Sequence, residues 1–494
     1  MKKNITNFYK FIFIYIVLFL FSCAENENEN ENITETTITI TSPENESTIQ
    51  DSILIQCESN DDNLVLKIEL WLDDDSTGIC DYTAPFEIYL NTLNYSNGIH
   101  ELFVRLYDEN GNIYDSETLT LNFDNFLMYS KTIGTSDLDD SGYSILQTQD
   151  SSFIILGSSD NDILLLKTNR YGAIQWQQQY GGSQIDRAYH FQQTSDNGFI
   201  ISGSTESYGS GGSDIWLIKT DANGLIEWNI CFGSAGNENG HQVRELNDGG
   251  FILVGSKDFF GDGNNDIWMI KTNSLGDSLW TRKFGGAQFE EGIDLLVNND
   301  GGFLILGNTE SYGNGGQDIW IIKTDSDGNE DWNNIYGNGS NDRAQSIIKT
   351  YDDGYMIRYI VQSFGEGNTA IGLLRISSSG EQIWTKTIGG SNGIPGNNFQ
   401  SISDDEYIMV CSLFDNGENA YNVYLTKIND SGDIIWDKIY GENENDYGMS
   451  VLKTKDSGYA IIGSTNNFGN GNKNFSDLWL IKTNQEGRSI QFND

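Results

Sequence analysis

Seven polar side chains recur at one point of a repeated segment: Ser144, His190, Gln242, Asp294, Ser346, Asn398 and Ser450, the last six spaced by 52 residues. Side chains of unequal chemistry brought together in this way can form a small-ligand site. His190, Gln242 and Asp294 supply an imidazole, an amide and a carboxylate on consecutive repeats, and they are its best candidates. The same residues facing a water-filled channel would only solvate it. Each lies two positions after a small residue (Gly142, Ala188, Gly240, Gly292, Ala344, Gly396 and Gly448), so on a strand of period two both should project in the same direction.

Two other sets could bind something. Asp262 and Asp266, and Asp325, Asp327 and Asp331, place oxygen ligands on tight turns, as a structural Ca2+ requires. Neither string has the twelve-residue EF-hand spacing, and Asp, Asn and Gly favour turns for their own reasons. Tyr208, Phe260, Tyr312 and Phe364 recur at 52-residue steps in glycine-rich loops, where they form either an aromatic binding rim or the anchors of those loops.

Catalytic machinery is harder to find. The chain has three histidines, His100, His190 and His241, and no His-x-x-x-His or Cys-x-x-Cys string. A multi-histidine metal centre is thereby nearly excluded, and no nucleophile–histidine pairing stands out. Paired carboxylates stay open among 72 acids, and no catalytic residue is assigned. Lys+Arg 28 against Asp+Glu 72 gives a net charge of −44, which repels phosphate backbones and anionic lipid. Nucleic acid is not an expected partner; cations and basic protein patches are better matched.

The elements that must position these residues follow from punctuation and period. Residues 1–22 read as a secretory signal, with Lys2, Lys3 and Lys10 before an apolar run too short for a membrane span. The run ends in Leu20-Phe21-Ser22-Cys23, which resembles a bacterial lipobox and implies lipidation of Cys23. Residues 23–35 alternate Glu and Asn and are an acidic, solvated tether. Residues 36–123 hold segments such as SILIQCES and FEIYLNT with apolar residues at period two, the pattern of an antiparallel sandwich. Its SPENEST, LWLDDD and GIHELFVRLYDENGN strings resemble bacterial Ig-like domains, which implies a spacer or adhesion module. Cys57 and Cys80 fall in this module and could pair, whereas Cys231 and Cys411 read as buried thiols.

From residue 126 to 494 three markers keep step. An Asp opens the turn before each second strand (Asp150 to Asp456), a Lys or Arg ends each third strand (Lys167 to Lys482), and Trp176, Trp228, Trp280, Trp332, Trp384 and Trp436 recur every 52 residues. Each unit carries four strand-like segments, the size of one propeller blade, and lone blades cannot bury both faces. The last unit ends without its Trp. Tyr129-Ser-Lys-Thr-Ile-Gly134 matches Trp384-Thr-Lys-Thr-Ile-Gly389 and should supply the missing outer strand. The expected fold is therefore all-β, a seven-bladed β-propeller preceded by an Ig-like β-sandwich.

The units resemble secreted bacterial β-propeller repeats, and segments such as KTDANGLIEW resemble the tryptophan-docking motif of quinoprotein-like propellers. That resemblance implies a lipid-anchored outer-membrane or cell-surface protein. Its propeller would bind a protein or glycan partner without catalysis, with the membrane reached through the anchor alone. A carbohydrate-active or quinoprotein-like enzyme and a scaffold in envelope assembly are the competing readings. Scarce basic residues disfavour an anionic quinone cofactor.

Overall fold

The computed structural model describes residues 36–489 apart from 126, 135–136, 260–263, 365–367, 389–393, 416, 418 and 469–474. Cys23 and the signal and tether segments lie outside the described residues, as do Phe260, Asp262 and the side chains of Phe364 and Asn398. Among the described residues the chain is all-β, with short 3-10 turns at Asp62–Leu64 and Thr92–Asn94 and no helix long and apolar enough to cross a membrane. Two compact units emerge. One holds most residues from 36 to Asn122; the other holds Phe123 onward with Ile49–Asp51 and Asn91–Gly98.

In the N-terminal unit a three-stranded sheet (Ile38–Ser42, Ser52–Ser59, Phe86–Asn91) is accompanied by a larger sheet that includes Val65–Leu72, Asp75–Asp81 and Gly98–Asp108. Alternation decides which faces turn inward. Phe86, Ile88 and Leu90 are buried while Glu87, Tyr89 and Asn91 are exposed, as a strand with one solvated face demands. Cys57 and Cys80 are both free: they sit on strands of different sheets, Cys57 inside the core and Cys80 with its sulfur 3.8 Å from Lys67 Nζ. Burial, helped by Asp81, pushes the Cys57 thiol up to about 12.

Among its described residues the C-terminal unit contains seven four-stranded antiparallel sheets. The first uses Asp140–Gln147, Phe153–Ser159, Asp162–Thr168 and Ile174–Tyr180 in spatial order, and the next five repeat that plan. The seventh takes Asp446–Lys453, Tyr459–Thr465 and Asp477–Thr483 from its own repeat and Tyr129–Ile133 from the start of the unit. That borrowed strand pairs antiparallel with the last one, from Tyr129 opposite Lys482 to Ile133 opposite Leu478.

Burial explains the composition of each strand. Phe199–Thr205 and Asp214–Thr220 are buried along their whole length, so second and third strands are nearly continuous apolar runs. Fourth strands such as Gln382–Ile388 alternate exposed and half-buried residues. Every sheet packs on the next through an apolar core, and the seventh packs on the first: Leu452, Ile462 and Leu478 meet Ile145, Ile155 and Leu164. Each fully buried aliphatic side chain contributes about 1.5–3 kcal/mol, so these seams dominate the stability of the array.

The recurring tryptophans sit at the outer end of the seams. Trp176 lies on Phe199 of the following sheet (ring centroids 6.3 Å apart), and Trp228, Trp280 and Trp436 make the equivalent contact with Phe251, Phe303 and Tyr459. Each ring also rests on a glycine turn of that following sheet. A Cβ on Gly328, whose φ is 76°, would stand 2.8 Å from Trp280 Cη2, so glycine is required for space as well as for backbone. On the borrowed strand Tyr129 takes the tryptophan's place against Gly172.

Candidate functional site

The first strands of all seven sheets border one cavity of about 450 Å³. Ser144, His190, Gln242, Asp294, Ser346 and Ser450 all line it, so six of the seven ring residues are brought together. The expectation that they share a direction with their small neighbours is corrected. In six of the first strands the register slips by one residue between the two positions: Gly142 opposes Gly157 while Ser144 opposes Leu156, and the same slip follows Ala188, Gly240, Gly292, Ala344 and Gly448. A β-bulge inserts one unpaired residue and reverses the alternation beyond it. Gly142 therefore faces the seventh sheet, where a Cβ would collide with Ile462, while Ser144 faces the cavity.

Within the cavity the candidate triplet is a bonded network. Gln242 Nε2 donates to Asp294 Oδ1, which also accepts from Leu295 N at 2.7 Å; Asp294 Oδ2 accepts from Ile347 N at 3.0 Å. Burial pushes the Asp294 carboxyl above its ordinary range, against the pull of Arg244 and these hydrogen bonds. Arg244 Nη1 lies 3.2 Å from His190 Nε2, and its Nη2 is 4.0 Å from Asp294 Oδ1. Burial, and then the Arg244 charge, holds His190 well below its ordinary value, so the ring is neutral. Arg244 can only donate. His190 Nε2 is therefore the acceptor and the ring proton is on Nδ1, which is sealed from solvent and has no partner.

A second tier rims the same cavity: Tyr189, His241, Glu291 and Arg343. The Tyr189 ring lies 4.7 Å from that of His241, and His241 Nε2 is 2.9 Å from Glu291 Oε1. Burial would raise the Glu291 carboxyl, but His241, Arg343 and Asn308 outweigh it and hold it below its ordinary range. Neither this tier nor Arg244 was among the residues expected from sequence. A signal was present: His241 directly precedes Gln242, so two of the three histidines fall on first strands of adjacent sheets.

The remaining candidates are used locally. Tyr208 and Tyr312 are half-exposed, but their hydroxyls donate to Gly181 O (2.8 Å) and Gly285 O (3.2 Å), and their rings pack 5.2 Å from Trp216 and Trp320. They anchor their loops. Phe259 packs edge-on against Trp268. The described residues of the acidic turns are held by nearby groups. Asp266 Oδ2 is 2.5 Å from Lys283 Nζ, Asp325 accepts from Asp327 N and Asn329 N of its own turn, and Asp331 lies 3.8 Å from Lys323. Among the described residues no group of three or more His, Cys, Asp or Glu is arranged to hold a metal ion.

Residues 37–104 match the bacterial Ig domain family. No curated protein matches the chain. Among solved structures, endo-beta-1,4-mannanase from Thermotoga petrophila is similar over 20% of this chain, at 19% identity and TM-score 0.17, and the chain spans 22% of that protein. A catalytically inactive virginiamycin B lyase from Staphylococcus aureus, with quinupristin, is similar over 72% of this chain and 99% of its own, at 14% identity and TM-score 0.44. Pyrococcus horikoshii acylaminoacyl peptidase is similar over 72% of this chain and 52% of its own, at 11% identity and TM-score 0.42. The alternating strands and the family match agree: residues 37–104 are a bacterial Ig domain, set ahead of the all-β array that encloses the cavity.

Proposed function

We propose that this chain is a non-catalytic cell-envelope lipoprotein, anchored through a lipid on Cys23, with the Ig domain as spacer. Residues 126–494 form a closed seven-bladed β-propeller whose axial cavity binds a glycan or the tip of a protein partner. One observation carries the binding role: residues from all seven first strands line a single polar cavity. Its volume of about 450 Å³ is in the range of small-ligand pockets and suits a sugar or a short glycan end rather than a folded domain. Ring closure is supported by the packing of the seventh sheet on the first and by the strand that Tyr129–Ile133 lends to the seventh, which leaves no open edge at the seam.

Glycan-array binding by the full chain, run beside a hydrolysis screen on the same glycans, tests this function. Binding without product release, weakened by His190→Ala and Gln242→Ala, is the expected result. Turnover of a bound glycan would replace it with an enzymatic reading. Radiolabelled fatty acid incorporated by the parent chain and not by Cys23→Ser checks the anchor.

A further inference from the structure

We infer that the axial cavity selects a ligand bearing an oxyanion, such as the carboxylate of an acidic sugar, received on the side of Arg244. The inference rests on the cavity being the binding site and adds the chemistry of what enters it.

Charge sorting is the first support. Acids outnumber Lys and Arg 72 to 28 along the chain, yet the cavity wall carries two arginines (Arg244, Arg343) against two acids (Asp294, Glu291). In a protein whose net charge repels anions, this balance locally offsets that repulsion.

The second support is that the acids are already spent while donors are left over. Asp294 accepts from Gln242, Leu295 and Ile347, and Glu291 sits against His241. On the other side, the Arg244 guanidinium makes long contacts, to Leu295 O (3.4 Å), His190 Nε2 (3.2 Å) and Asp294 Oδ1 (4.0 Å), and keeps 29% of its side chain open. The His190 Nδ1 proton and the Ser346 hydroxyl also lack partners but are sealed from solvent, so Arg244 is the donor a ligand can reach. A ligand rich in donors would find few acceptors here. One that brings acceptor oxygens gains charge-assisted hydrogen bonds to arginine, the strongest kind the wall can offer.

The test titrates the full chain calorimetrically with galacturonate and with galactose, which differ at a single carbon, and with inorganic sulfate. Galacturonate is expected to bind at least roughly tenfold more tightly than galactose, as a charge-assisted bond requires. Arg244→Gln should abolish that preference, and Arg343→Gln, an exposed position that the fold tolerates, should reduce it. Tyr208→Ala, outside the cavity, should leave it intact. Equal binding of the two sugars, with both lost in Gln242→Ala, overturns the oxyanion inference and leaves the cavity as the site. Galacturonate binding that ignores Arg244, Arg343 and Gln242 alike overturns the site itself. Failure of galacturonate and sulfate to bind at millimolar concentration also overturns the inference.

Discussion

Lys219 Nζ lies 2.8 Å from Asp196 Oδ2, so the basic residue that ends a third strand is the ion-pair partner of the Asp that opens the preceding turn. Two of the three markers that define the repeat are thus halves of one interaction. It recurs as Asp150–Lys167 (3.2 Å), Asp248–Lys271 (3.9 Å), Asp300–Lys323 (2.9 Å), Asp352–Arg375 (2.5 Å) and Asp456–Lys482 (2.9 Å). In the sixth sheet Lys427 turns to Glu406 instead, at 2.7 Å.

The pair makes an acid-dependent contribution. Burial would raise the Asp196 carboxyl, but Lys219, the Thr194 hydroxyl and the Gly198 amide outweigh it and hold it at about 2. A depressed acid stabilises the fold above its unfolded value of about 4, and that stability is lost as pH falls through its folded value. Asp196→Asn should flatten the loss of stability between about pH 4 and 2. Because the Asp196 side chain is 55% exposed, its coupling to Lys219→Met in a double-mutant cycle should be about 0.5–1 kcal/mol. Urea midpoints of the four proteins check both.

Tryptophan docking predicts a contrast between two glycines of nearly equal backbone. Gly328 (φ 76°) and Gly249 (φ 78°) are both left-handed, but a Cβ on Gly249 finds nothing nearer than Ser274 Cβ at 3.8 Å. Ala at either position costs about 1–2 kcal/mol for the backbone. Gly328→Ala should cost about 1–3 kcal/mol more for crowding Trp280. Equal melting temperatures for the two variants would remove the docking argument.

The seam between the ends of the array should fail when its strand is prevented from pairing. Lys131 opposes Leu480, and the neighbouring Trp479 donates its indole N–H to Ser130 Oγ at 2.7 Å. Lys131→Pro distorts the borrowed strand and should expose Trp479, seen as a red-shifted, acrylamide-quenchable emission, and should promote oligomers through the bared edge. Unchanged emission and a monomeric elution profile would show that the strand does not seal the seam.

His190 gives the array a pH dependence at the opposite sign of its charge. Its neutral form is imposed by burial and by Arg244, while the unfolded chain protonates a histidine near 6.5. The unfolded state then binds more protons below that value, so stability falls as pH drops from about 6.5. His190→Gln should reduce that slope by up to about 1.4 kcal/mol per pH unit. Tryptophan emission is the suitable probe, since ten of the eleven tryptophans lie beyond residue 126.

Much of this architecture was legible because it is written locally. Period-two alternation, turn residues and a 52-residue step set four strands per repeat, and the match between the Tyr129 and Trp384 segments predicted the borrowed strand that the pairing displays. The ring positions were legible too, since equivalent residues of equivalent strands must fall at equivalent depth.

What the chain folded in space alone decided is the direction and company of those side chains. A bulge leaves its mark in hydrogen-bond register, not in residue type, so nothing in Gly142-Tyr-Ser144 announced that the glycine and the serine point in different directions. Arg244, His241, Glu291 and Arg343 joined the site because sheets distant in sequence converge, just as Lys455 N reaches Gln147 Oε1 across 308 residues. Local pattern fixes which residues a strand buries. Only the packing of one sheet on another fixes which charges then have to share a wall.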